Sequence, residues 1–158
     1  IDKVYFDDKS DYQVGEPQIG RILQELGVAF RFTVIPIIRK DSLHITAEDR
    51  ELLRATIAAQ PARHVLVTHG TDTMVDTARV LATLSDKTIV LTGALIPARF
   101  RGSDAEFNVG TAVGAGIGDT LHGGAVAVVA HFEVGDFALV VVRQAGAYPA
   151  LAFRELRH

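Results

Sequence analysis

The sequence predicts an α/β fold, a mostly parallel sheet flanked by helices, in a single domain. Two short runs, Arg63–Thr68 (RHVLVT) and Lys87–Thr92 (KTIVLT), are almost wholly apolar, as strands covered on both faces must be. Between them Met74, Ala78, Leu81 and Ala82 recur at helical spacing. Strand, helix and strand in that order imply a parallel pair joined by a right-handed crossover.

The remaining elements follow in chain order. Residues 7–17 are polar and broken by Gly15 and Pro17, which predicts a loop. Gln18–Leu26 carries Ile19, Ile22, Leu23 and Leu26 on one helical stripe, closed by Gly27. Ala29–Ile38 is rich in β-branched and aromatic residues and predicts a strand, with Pro36 placing it at an edge or a strand end. After a loop over Arg39–Ile45, Thr46 with Asp49 three residues on predicts a capping-box start. That helix runs through Leu53 and Ile57 to Pro61. Past the two apolar strands, Ser103 opens a third core helix reaching about Ala115, and Ala125–Ala130 and Phe137–Val142 predict two further strands.

Composition narrows the function classes. The chain has 158 residues, 48% hydrophobic and 22% charged, with a net charge of -3. That describes an ordinary globular domain over 1–158, with no basic stripe for nucleic acid. No apolar run approaches the roughly 18 residues of a membrane span. A cytoplasmic protein is therefore expected. Zero cysteines exclude disulfides, thiolate metal sites and a cysteine nucleophile. The six histidines show no tight metal-binding spacing, so no metal site is expected. No internal repeat, Walker loop, dinucleotide fingerprint or G-x-S-x-G elbow occurs.

Parallel sheets bind ligands in the crevice beyond the carboxyl ends of their strands. Two small-residue turns, His69-Gly70-Thr71 and Gly93-Ala94, fall there. Gly70 permits a substrate to approach backbone N–H groups closely. Thr71 sets a hydroxyl at the strand-to-helix handover, and Asp72 beside it can bind an amino group or orient a base. Helix capping is the plainer use of a Thr-Asp pair at such a place. Lys87 stands either as a solvated lysine or as a buried amine able to take a proton from a threonine hydroxyl.

The segment HGTDTM at His69–Met74 resembles a signature of the bacterial-type L-asparaginases. Asp11-Tyr12-Gln13-Val14-Gly15 resembles that family's flexible active-site loop. Lys40-Asp41-Ser42 resembles its carboxylate-binding segment, and Lys87 with Ile89–Ala94 resembles its lysine and strand-to-turn passage. Pro97 and Ser103-Asp104 to Phe107-Asn108 continue the likeness, which covers about 1–116; the tail from about Ile117 follows it only loosely.

The resemblance implies hydrolysis of L-asparagine, and often L-glutamine, to the acid and ammonia through a threonine nucleophile and an acyl-enzyme, without cofactor. It implies Thr71, Lys87, Asp72 and Tyr12 as catalytic residues: Thr71 as hydroxyl, Lys87 as its proton acceptor, Asp72 for the α-amino group, Tyr12 as lid. It implies Ser42, Gly70, Thr71, Asp72 and Ala94 as substrate-binding, with N–H groups near Thr71 and Ala94 facing the oxyanion. It also implies a homo-oligomer. In the family the principal threonine stands in a T-G-G-T-I motif, whose isoleucine Ile1 matches, and a C-terminal domain follows. The expectation is either a naturally short form without that second domain or a fragment, with activity low or nil if the upstream threonine is lacking. A silent amino-acid-binding or regulatory domain, and an ammonia-supplying component of a larger complex, are the alternative readings.

Overall fold

The computed structural model describes residues 1–6, 11–117, 125–132 and 136–143. A small antiparallel hairpin, β1 (Lys3–Phe6) and β2 (Asp11–Val14), precedes the main body. The central sheet holds β3 (His64–Thr68), β4 (Thr88–Thr92), β5 (Ala125–Phe132) and β6 (Asp136–Arg143), in that order. β3, β4 and β5 run parallel, in the register His64 to Thr88 and Ile89 to Val126; β6 returns antiparallel to β5. The parallel core and its flanking helices agree with the expected fold class.

Four helices cover the sheet: α1 (Ile19–Glu25), α2 (Ala47–Ala58), α3 (Met74–Leu81) and α4 (Ala105–Ile117). Alternation along β4 explains the layering. Ile89 and Leu91 point to one face, where they pack with Leu53 and Ile57 of α2 and Met74, Ala78 and Leu81 of α3. Val90 points to the other, against Ala112 of α4 and Ala127. On that second side Ile22 and Leu23 of α1 meet Val109 of α4. Burial on both faces is what an unbroken apolar strand requires.

Local chemistry explains several boundaries. Thr46 accepts from the Asp49 N–H at 3.3 Å while Asp49 accepts from the Thr46 N–H at 2.9 Å, the reciprocal box that starts α2. Gly27, at φ 64°, ends α1 in the left-handed conformation that glycine adopts without penalty.

Two expectations are corrected. Residues 11–14, assigned to a loop, form β2, because Asp11-Tyr12-Gln13-Val14 finds a partner strand in β1. Ala29–Ile38, expected as a strand, joins no ladder among the described residues. Its Ile37 and Ile38 pack on the α2–α3 core, while Phe30, Phe32, Val34 and Ile35 stay exposed. β-propensity describes a fit to a pleated, half-buried surface and does not itself supply a neighbour. The expected strand Phe137–Val142 is present within β6, which pairs antiparallel with β5.

Candidate functional site

The carboxyl ends of β3 and β4 build one rim. The His69 N–H donates to the Thr92 carbonyl at 2.8 Å, extending the ladder one residue past β3. The chain then turns through Gly70-Thr71-Asp72 into α3. Beside it, Gly93 is packed so tightly that a β-carbon there would lie 2.7 Å from the His69 carbonyl and 3.3 Å from Thr71 Cγ2. The two small-residue turns are therefore in contact.

A third segment joins them. Ser42, buried in a short 3-10 turn over Ser42–His44, donates its hydroxyl to Asp72 Oδ2 at 2.8 Å. The Thr73 hydroxyl donates to the Ser42 carbonyl at 2.8 Å. A β-carbon at Gly70 would come within 2.6 Å of Ser42 Cβ, so only glycine lets the turn close on this serine. Ser42, Gly70, Thr71, Asp72 and Ala94 all line a groove of about 850 Å³ that continues along β3.

Helix capping does not account for Thr71 and Asp72. The N-cap of α3 is Thr73, which makes no side-chain cap bond, and its hydroxyl is committed to Ser42. Asp72 turns away from the helix towards Ser42.

Carbonyl orientation on the rim is controlled by side chains. His69 Nδ1 lies 2.7 Å from the Gly70 carbonyl, and its Nε2 lies 2.9 Å from the Thr77 hydroxyl. Arg50 Nε of α2 donates to that same hydroxyl at 3.2 Å. Burial holds the His69 imidazole below its ordinary range, with the Gly70 bond working against burial. On the other turn, Asn108 Nδ2 donates to the Gly93 carbonyl at 3.0 Å and to Asp104 Oδ2 at 2.8 Å. Asp104 also accepts from the Leu95 and Ile96 N–H groups. Burial pushes its carboxyl up, yet these donors outweigh it and hold Asp104 below the usual carboxylate range. Arg50, Thr77 and Asn108 carried no role in the sequence reading. A threonine on the buried stripe of α3, eight residues after His69, was the available signal.

Lys87 is not brought to this rim. It directly precedes β4, whose first residue pairs with the first residue of β3, whereas Thr71 follows the other end of β3. A five-residue strand separates the two ends by about 13 Å. The buried Lys87 amine instead donates to the Gln60 carbonyl at 2.6 Å and the Ala62 carbonyl at 3.0 Å, in the connection after α2. The expected role of Lys87 as proton acceptor for Thr71 is corrected accordingly: the amine closes off the chain behind a helix.

Tyr12 lies on β2, half exposed, with its ring centroid 6.4 Å from that of Phe100, and it does not line the groove. Residues 7–10 of the loop expected over 7–17, and residues 118–124, 133–135 and 144–158 of the tail, lie outside the described residues. Among the described residues no three His, Asp or Glu side chains converge as a metal site would require. None of the described helices is long and apolar enough to cross a membrane.

The sequence matches the family described as Asparaginase, N-terminal, over residues 5–151. The chain belongs to that family. Among solved structures it is similar to a probable cytoplasmic L-asparaginase from Campylobacter jejuni, with 31% identity and a TM-score of 0.59, covering 71% of this chain and 35% of that one. It is also similar in fold to the thermostable L-asparaginase from Thermococcus kodakarensis, with 24% identity and a TM-score of 0.62, covering 80% of this chain and 40% of that one. The chain thus spans well under half the length of either enzyme. No curated protein sequence matches it at a significant level.

Proposed function

We propose that this asparaginase-family domain hydrolyses the side-chain amide of L-asparagine, with Thr71 as the acyl-accepting hydroxyl. The observation that carries this reading is the meeting of Ser42, Gly70, Thr71 and Asp72 at the rim of β3. Asp72 offers a carboxylate to an α-ammonium group, and the Ser42 hydroxyl that donates to it holds that carboxylate in place. The N–H groups of Thr71 and Ala94 donate to nothing among the described residues, which suits them to a developing oxyanion. Attack by Thr71 Oγ1 would give an acyl-threonine and release ammonia, and water would then free aspartate. The Thr71 proton leaves on the departing ammonia, and Lys87, held by the Gln60 and Ala62 carbonyls, takes no part.

The domain spans 1–158 and self-associates in this reading. Exposed Phe30, Phe32, Val34 and Ile35 lie close together in the chain, and β3 is the edge of the described sheet. Tyr12 acts as a lid only after moving from Phe100 towards the groove.

Ammonia release from L-asparagine, with Thr71→Ala as control, tests the assignment. Binding of L-aspartate by calorimetry without ammonia release would favour a silent amino-acid-binding domain instead.

A further inference from the structure

We propose that His69 is a positioning residue for the oxyanion site: its Nδ1–H holds the Gly70 carbonyl, so that the Thr71 N–H faces the crevice, and Thr77 and Arg50 hold the imidazole in that tautomer. The inference rests on the amidase reading for its catalytic consequence, but its geometry stands independently.

The Gly70 oxygen only accepts, so at 2.7 Å the proton of that bond resides on His69 Nδ1. The ring's other nitrogen is then an acceptor and needs a donor. The Thr77 hydroxyl supplies it at 2.9 Å, in preference to the Thr73 carbonyl at 3.4 Å. Arg50 Nε, which can only donate, occupies a lone pair of the same hydroxyl at 3.2 Å and so fixes its direction. The chain of donors runs from Arg50 to Thr77 to His69 to Gly70, each member with one role available. His69 and Thr77 are both buried, so water does not compete for these bonds.

Peptide geometry transmits the effect to the site. The described residues contain no cis peptide bond, so the Gly70 carbonyl and the Thr71 N–H lie in one plane and point in opposite directions. With the carbonyl held inward by a buried ring, the N–H is aimed outward at the groove. Thr71 N–H has no acceptor among the described residues to hold it there by other means. Without the His69 bond, the peptide at Gly70 is free to rotate, because glycine tolerates nearly any backbone conformation. A fixed donor stabilises a transition state far more than one that must reorient.

Two substitutions separate positioning from packing. In His69→Asn the amide nitrogen takes the place of Nδ1 and keeps the carbonyl bond. In His69→Leu the volume is kept and the bond is lost. The expected result is a kcat for L-asparagine reduced roughly ten- to hundredfold in His69→Leu, with KM little changed, and largely restored in His69→Asn. Thr77→Val should follow His69→Leu, and Thr77→Ser should follow the wild type. Independently of turnover, ¹H–¹⁵N correlation spectra of the histidine rings, assigned by His69→Asn, should show His69 protonated at Nδ1 and bare at Nε2. Equal kcat in the Leu and Asn variants, or a proton at Nε2 instead of Nδ1, would overturn the proposal. If the wild-type chain releases no ammonia, the amidase reading fails, and the ring tautomer alone then decides the positioning role.

Discussion

The Ser42 hydroxyl donates to Asp72 Oδ2 at 2.8 Å although 30 residues separate them. The bond ties the connection before α2 to the turn before α3, and it presets the carboxylate that would receive an α-ammonium group. Removing a hydrogen bond to a charged acceptor costs more than removing a neutral one. Ser42→Ala is therefore expected to raise KM for L-asparagine by about tenfold, with a smaller effect on kcat. Steady-state kinetics check this.

Lys87 gives the sharpest contrast between chemistry expected from sequence and chemistry found in the fold. Its amine satisfies the Gln60 and Ala62 carbonyls at the rim opposite Thr71. Lys87→Met keeps the stem and strands both carbonyls. The variant should lose about 1–3 kcal/mol of stability in urea denaturation while kcat changes by less than about twofold. A large drop in kcat with unchanged stability would return Lys87 to the active site.

His69 sets a pH dependence. Its pKa is lowered in the fold, first by burial, with Arg50 acting in the same direction and the Gly70 bond and Asp72 opposing. The unfolded chain therefore binds more protons than the folded one between the folded pKa and the ordinary value near 6.5. Stability is full above about pH 6.5 and falls as pH drops through that window. Urea denaturation at pH 7.5 and 5.5 should show the loss in the wild type and a smaller loss in His69→Asn. Asp41 and Asp104, whose pKa values are lowered, add their own losses only under more acidic conditions, as pH falls through their folded values.

Self-association is expected from the apolar side chains exposed along 30–35 and from β3, which lies at an edge of the sheet among the described residues. Sedimentation velocity at micromolar concentration should show a dimer or larger species. A Val34→Lys, Ile35→Lys double substitution should shift it to monomer.

Much of the scaffold was readable from residues alone, for identifiable reasons. β4 announces itself because burial on both faces favours an apolar run, β3 because its Val65-Leu66-Val67 run is apolar although the strand is only half-buried, and α2 because Thr46 and Asp49 satisfy each other locally. Elements whose existence depends on a distant neighbour were less legible. β2 is polar and forms only because β1 lies opposite, whereas residues 29–38 have the composition of a strand and no ladder partner among the described residues. The site divides in the same way. Gly70, Thr71 and Asp72 are contiguous, so their chemistry was visible as a motif. Which rim Lys87 occupies follows from strand register, and the Arg50–Thr77–His69 relay joins α2, α3 and a turn. The relay is not written in local sequence, whereas the parallel order of the two predicted strands already sets Lys87 at the end away from Thr71.

In the proposed mechanism the rim of β3 around Thr71, and not a pair formed with Lys87, carries amide hydrolysis. Ammonia release from L-asparagine by the wild type, Thr71→Ala and Lys87→Met tests it most directly. Release by the wild type and by Lys87→Met, with none from Thr71→Ala, is the predicted result. Release that survives in Thr71→Ala, or vanishes in a folded Lys87→Met, would contradict it.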